Sequence, residues 1–195
     1  MARIETTFFV GPSLYGALPE PLKGELWFPP ARQGDVLAAY LKYCPKTVVL
    51  VDGYLRRDFP TWVKELCYLM VDGCRFIGAA SIGAIRAAEL WRYGAIGIGE
   101  IFEAYKSGKT EDESWVLLEF HPETYQPLSE PPCTNALKQK DALAAVEYAR
   151  ALPRGEKPKC SLTKKSLGFG LQITIDRVLA TDYLLEHVKR DRFID

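Results

Sequence analysis

The sequence predicts an α/β fold in which a mostly parallel sheet is flanked by helices, and three observations carry that expectation. Thr47-Val48-Val49-Leu50-Val51 is a continuous β-branched apolar run, the pattern of a strand covered on both faces. A second apolar run, Arg75-Phe76-Ile77-Gly78-Ala79, stops at Ser81 and gives way to the alanine-rich stretch Ile82 to Leu90, a buried strand handing over to a helix. Between them Trp62, Leu66, Leu69 and Met70 recur at helical spacing, so strand, helix and strand alternate.

The remaining elements follow in order. Thr6 to Val10 reads as a strand that stops at Gly11-Pro12-Ser13-Leu14, and Glu25 to Phe28 reads as a second strand closed by Pro29-Pro30. Gly34-Asp35 opens a helix over Val36 to Tyr43, with Val36, Leu37, Tyr40 and Leu41 in helical spacing, and Cys44-Pro45 ends it. The Thr47 strand ends at Asp52-Gly53. Thr61 is expected to cap the next helix, which runs to about Val71 and is terminated by Asp72-Gly73. The helix after Ser81 runs to about Tyr93. Gly94-Ala95-Ile96-Gly97-Ile98-Gly99 then breaks the pattern; these glycines do not fit G-x-G-x-x-G, so a dinucleotide fingerprint is not supported. Glu100 to Lys106 resumes as a helix. Beyond Gly108 come an acidic solvated loop (Glu111, Asp112, Glu113), a hairpin pairing Trp115 to Phe120 with Thr124 to Leu128, and Pro131-Pro132. Thr134 to Leu152 is an alanine-rich helix, and a further helix is expected over Ile173 to Lys189. The layout is one domain over 1–195: a Rossmann-like α/β core over 6–108, with a hairpin and largely helical extension over 109–195.

Composition narrows the function. A chain of 195 residues with 48% hydrophobic and 12% aromatic content can bury a full core. Its formal net charge is zero, so no electrostatic footprint for nucleic acid or an anionic membrane is present. No run approaches the roughly 18 apolar residues of a membrane span, and a basic N-terminal region followed by an apolar stretch is missing; a cytoplasmic location is expected. Cys44, Cys67, Cys74, Cys133 and Cys160 are odd in number and widely spaced, with only His121 and His187 to assist. They read as reduced thiols, with no metal site and no cofactor implied.

The Ser81 junction is where chemistry is expected. Ala79-Ala80-Ser81-Ile82-Gly83 partly matches the nucleophile elbow G-x-S-x-G, which needs small neighbours where strand and helix crowd a strained turn. A serine capping a tightly packed helix fits the same residues. In a right-handed β-α-β unit, Asp52 and the start of the following helix lie on the same sheet edge as Ser81. The helix drops about 10 to 12 Å from Lys64 to its end at about 1.5 Å per residue, and the next strand climbs about 20 Å at about 3.3 Å per residue. Lys64 is thereby expected to approach Ser81. It stands opposite the Trp62/Leu66/Met70 face, a position that suits a cleft and suits solvent equally.

Gly11-Pro12-Ser13-Leu14, Pro30-Ala31 with Gly34-Asp35, Asp52-Gly53, Lys64-Glu65, Gly78 through Leu90 and Gly97-Ile98-Gly99 together resemble the TfuA family, over about residues 7–120. The family pattern reads Trp-His-Lys-Glu where this chain has Trp62-Val63-Lys64-Glu65, so a histidine helper is missing. It commonly has methionine at the place of Ile82 and leucine at that of Ile85. The resemblance implies a protein that accompanies a YcaO enzyme in peptide backbone thioamidation. Its role would be to release sulfide from a thiocarboxylated ubiquitin-like (ThiS-like) sulfur carrier through a Ser-Lys pair, here Ser81 and Lys64. A neutral lysine would take the serine's proton, which asks for a shift of about three units from an ordinary value near ~10.4. Arg86 would depress that lysine or hold the anionic substrate; an i,i+3 ion pair with Glu89 is its other reading. The amides of Ile82 and Gly83 would donate to the oxyanion. Asp52 and Glu65 would orient Lys64, with capping or surface roles as alternatives, and Ser13 is the fallback nucleophile. His121 belongs to its turn. Two further classes stay open: a non-catalytic adaptor that helps the YcaO enzyme bind its peptide, and a nucleotide-binding domain, which the lack of a Walker A pattern disfavours.

Overall fold

The structure, a computed structural model, describes residues 4–55, 59–153, 158 and 160–163. Its strands are β1 (Thr6–Phe9), β2 (Glu25–Phe28), β3 (Thr47–Leu50), β4 (Arg75–Ala79) and β5 (Ile96–Ile98), and they form one wholly parallel sheet in the order β2-β1-β3-β4-β5. The helices are α1 (Asp35–Tyr43), α2 (Val63–Val71), α3 (Ile82–Leu90), α4 (Glu100–Lys106) and α5 (Asn135–Ala151).

Side chains alternate across each strand, and both faces are covered. Phe9, Val48, Leu50 and Phe76 point to the face carrying α1 to α4, where they meet Leu66, Leu69, Ile85 and Ile101. Phe8, Val10, Val49, Val51, Ile77 and Ala79 point to the other face, against Ala142, Ala145 and Val146 of α5. The alanines let α5 lie close to the sheet. The expected α/β architecture is therefore the architecture found, and the described residues beyond α4 carry one long helix, α5.

Three details differ from the sequence reading. α2 begins at Val63 rather than at a Thr61 cap, because Glu65 reaches back to the Trp62 amide (3.0 Å) while the buried Thr61 hydroxyl has no hydrogen-bond partner. The glycine-rich segment contains a strand, β5, whose Gly97 lies flat against the Phe102 ring. The first arm of the expected hairpin starts as a 3-10 turn over Glu113–Val116, and the pairing reduces to one bridge, Phe120 with Pro127. The helix expected over Ile173 to Lys189 lies outside the described residues.

The strand order sets the site. The chain leaves β1 toward β2 on one side and leaves β3 toward β4 on the other, which opens a crevice beyond the carboxyl ends of β1 and β3. Gly11, Asp52 and Ser81 all follow strand ends on that edge.

Candidate active site

The turn between β4 and α3 is built by two close approaches. A Cβ on Gly78 would collide with the Gly83 carbonyl, and one on Gly83 would collide with the Leu50 carbonyl, so only glycine lets α3 begin this close to the sheet. The left-handed residue of the turn is Ala80, at φ 62°, while Ser81 has φ −118°. The strained position of the elbow pattern thus falls one residue before the serine. Ser81 is the N-cap residue and is 4% exposed, yet its hydroxyl makes no capping hydrogen bond. An ordinary capping serine would spend its oxygen on the amides of the first turn. This one keeps it free of them.

Ser81 lines a cavity of about 290 Å³ together with Pro12, Asp52, Tyr54, Lys138 and the segment Val116 to Phe120. Lys138, from the first turn of α5, is 1% exposed, and its Nζ donates to the Val116 carbonyl at 3.0 Å. Burial drives its pKa below the ordinary lysine value, with the charge of Asp52 acting in the opposite direction. A buried amine that leans toward its neutral form, in one cavity with a serine hydroxyl, is a candidate proton acceptor.

Asp52 is fully engaged. One carboxylate oxygen accepts from the amides of Gly11 (2.9 Å) and Ser13 (3.0 Å), and the other from the Ser13 hydroxyl (2.6 Å). These bonds tie the 3-10 turn Pro12–Leu14 to the end of β3 and fix the cavity wall at Pro12. Ser13 donates its proton to Asp52 and is 2% exposed, so its place is in this anchor.

Several expected site residues are placed elsewhere. Lys64 is exposed, its Nζ stands 5.0 Å from the centre of the Trp62 ring, and it does not line the cavity with Ser81. The reason is rotational: α2 turns Glu65, Leu66, Leu69 and Met70 inward, which swings Lys64 out. Glu65 does not orient Lys64 but accepts from the amides of Gly34 (2.8 Å), Leu37 (3.4 Å) and Trp62 (3.0 Å), serving the starts of α1 and α2 at once. Arg86 donates through Nε to the Thr61 carbonyl (2.8 Å) and through Nη1 to both Glu89 oxygens (2.8 and 2.9 Å), the ion-pair reading. The Gly83 amide donates to the Val51 carbonyl at 3.3 Å, which removes it as an oxyanion donor. The Ile82 amide, first in α3, has no intrahelical acceptor and remains one.

Lys138 is the residue the sequence reading passed over. A signal was present: Lys138, Ala142, Ala145, Val146 and Ala149 form one stripe at i, i+4, i+7, i+8 and i+11, so the lysine sits on the apolar face of α5. Among the described residues no group of three His, Cys, Asp or Glu side chains is arranged to hold a metal, and no helix is long and apolar enough to cross a membrane.

A search of curated proteins gives no match to the chain. The family model for TfuA-like protein matches residues 52–159, a span that contains both Ser81 and Lys138.

Proposed function

The chain belongs to the TfuA-like family, and on that premise we propose that it is a Ser-Lys hydrolase. Its substrate is a thiocarboxylated ubiquitin-like sulfur carrier, and the sulfide it releases supplies a YcaO enzyme for peptide backbone thioamidation. The observation that carries the reading is a buried serine hydroxyl, free of any capping bond, sharing a cavity with a buried lysine. The lysine of the pair is Lys138.

The chemistry balances without a cofactor. Neutral Lys138 takes the Ser81 proton as Oγ bonds to the thiocarboxylate carbon; the tetrahedral adduct collapses, the C–S bond breaks, and hydrosulfide leaves with that proton. Water then attacks the acyl ester as Lys138 takes one of its protons and passes it to the departing Ser81 Oγ; the new carboxyl group loses the other proton to solvent, so the carrier leaves as a carboxylate with Ser81 and neutral Lys138 restored. The Ile82 amide stands next to Ser81 to receive the developing oxyanion. The burial of Ser81 and Lys138, at 4% and 1% exposure, keeps most water from a pair that would lose its poise in full solvent.

The test is sulfide release from a purified thiocarboxylated carrier. Ser81→Ala and Lys138→Gln, each with native circular dichroism, are expected to lose at least 100-fold in rate. Lys64→Ala is expected to stay within about two-fold of the parent, since its amine is outside the cavity. Undiminished release in folded Ser81→Ala overturns Ser81 as the nucleophile, and no release from the parent protein overturns the hydrolase reading and leaves the adaptor role, whose signature would be YcaO-dependent peptide binding with no sulfide formed.

A further inference from the structure

Leu55 and Leu117 line the Ser81 cavity and also line a second hollow of about 290 Å³, whose other residues are Glu111, Asp112, Glu113 and Ser114. The two adjoin along this apolar ridge and form one groove with a reactive half and an acidic half. Residues 111–130, which build the acidic half and much of the cavity wall, carry six carboxylates (Glu111, Asp112, Glu113, Glu119, Glu123 and Glu130) and no lysine or arginine, in a chain of zero formal net charge. Asp112 spends its carboxylate on the Ser114 amide (2.8 Å) and hydroxyl (2.6 Å), and Glu130 spends its own on Asn135. Glu111, Glu113 and the cavity-lining Glu119 are exposed, and among the described residues their carboxylates have no hydrogen-bond or ion-pair partner. At the inner end Asp52 keeps its charge in the wall while accepting from Gly11 and Ser13, and burial drives Lys138 toward its neutral form. Even with that lysine charged, the five carboxylates of Asp52, Glu111, Asp112, Glu113 and Glu119 line the groove against one ammonium.

We propose that the acidic half of this groove is a subsite for a lysine or arginine side chain of the protein whose reacting end lies at Ser81, with the aliphatic stem on the Leu55/Leu117 ridge and the cationic head at Glu111 and Glu113. The inference rests on Ser81 being the reacting group. That the groove takes a ligand is indicated at its inner end by Ser81 itself, 4% exposed with a hydroxyl free of any capping bond. On an open surface, solvation alone would account for unpaired carboxylates. Here they line a cleft with apolar walls, which concentrates their field on whatever enters. A metal ion does not fit, since among the described residues no three carboxylate, histidine or cysteine side chains converge as ligands. A lysine or arginine does, because its methylene stem lies along apolar surface while its head reaches past it. The groove alone would repel a substrate with an anionic reacting group, so such a substrate must carry a cation of its own beside that group. Glu119, on the cavity wall between the two halves, adds to the same selection.

The experiment tethers one end of a probe at the reacting position and varies the charge at the other. The whole protein carrying Ser81→Cys is treated with alkyl methanethiosulfonates whose tails increase in length and end in an ammonium, a sulfonate or a methyl group, and modification of the peptide containing position 81 is followed by mass spectrometry. At the best tail length the ammonium reagent is expected to react at least about ten-fold faster than the sulfonate, since one tip gains and the other loses at the same carboxylates. Adding Glu111→Gln and Glu113→Gln is expected to cut that ratio at least about five-fold, as is 0.5 M sodium chloride, while the methyl reagent changes less than about two-fold. Glu147→Gln, at an exposed position on α5, is expected to leave the ratio within about two-fold. A ratio near one at every tail length, or a ratio that survives removal of Glu111 and Glu113, overturns the subsite. This readout needs no hydrolysis: sulfide release by the parent without the charge preference sinks the subsite alone, and the preference in a protein whose parent releases no sulfide sinks the hydrolase reading alone.

Discussion

Lys138 shows how far one side chain's surroundings decide its chemistry. Removal from water penalises its ammonium form, and the opposing charge of Asp52 is already shared among three donors. The rate of sulfide release is therefore expected to climb with pH through a value below the ordinary lysine range and then level off, and a profile flat across pH 6 to 10 would contradict an amine base. Glu65 gives a stability counterpart. It is fully buried, and loss of water pushes its carboxyl up to about 7 from 4.5, against the pull of the three amides it accepts from. The folded protein then holds a proton between about pH 4.5 and 7 that the unfolded chain has released, so stability falls as pH rises through that window, by up to about 3 kcal/mol. Denaturant midpoints at pH 5 and pH 8 are expected to differ in favour of pH 5, and Glu65→Gln is expected to shrink that difference. Of these two residues, Glu65 was legible as a residue of interest but not in its role, since the sequence does not say that α1 begins beside α2. Lys138 was visible as a polar interruption of an apolar stripe, a pattern that points to burial without naming the cavity.

At the scale of the element, the β4 to α3 junction was the most legible part of the chain, because its demand for small residues is written directly in Gly78, Ala79, Ala80 and Gly83. Gly83→Ala is expected to cost at least about 2 kcal/mol by thermal or chemical denaturation, since the new methyl would enter the Leu50 carbonyl and neither backbone has room to retreat. β5 was illegible for the opposite reason. Three residues, one of them glycine, carry too little periodicity to separate an edge strand from a loop, and its register is imposed by β4 and by the Phe102 ring above Gly97. The junction between α4 and α5 rests on a similar tertiary device: Asp141 of α5 accepts from the amides of Glu100 (3.1 Å) and Ile101 (2.8 Å), and Gly99 at φ 97° leaves space for its carboxylate. Asp141→Ala is expected to lower stability by about 2 kcal/mol, read as a shift in denaturant midpoint, by leaving two amides at a helix start unpaired.

Over the whole molecule the parallel sheet and its covering helices followed from the order of strand and helix patterns, whereas the partners of Ser81 did not, because they depend on where α5 lands. The expectation for Lys64 came from lengths of rise and fall along one β-α-β unit; it fixed the right edge of the sheet and left the rotation of α2 undetermined. Serine and amine are more than fifty positions apart along the chain, one just after β4 and the other on α5, which covers the far face of the sheet. On the proposed mechanism the sheet alone holds a serine without its amine, so a protease cut in the connector around residues 109–133 that releases α5 is expected to abolish sulfide release while sparing every strand.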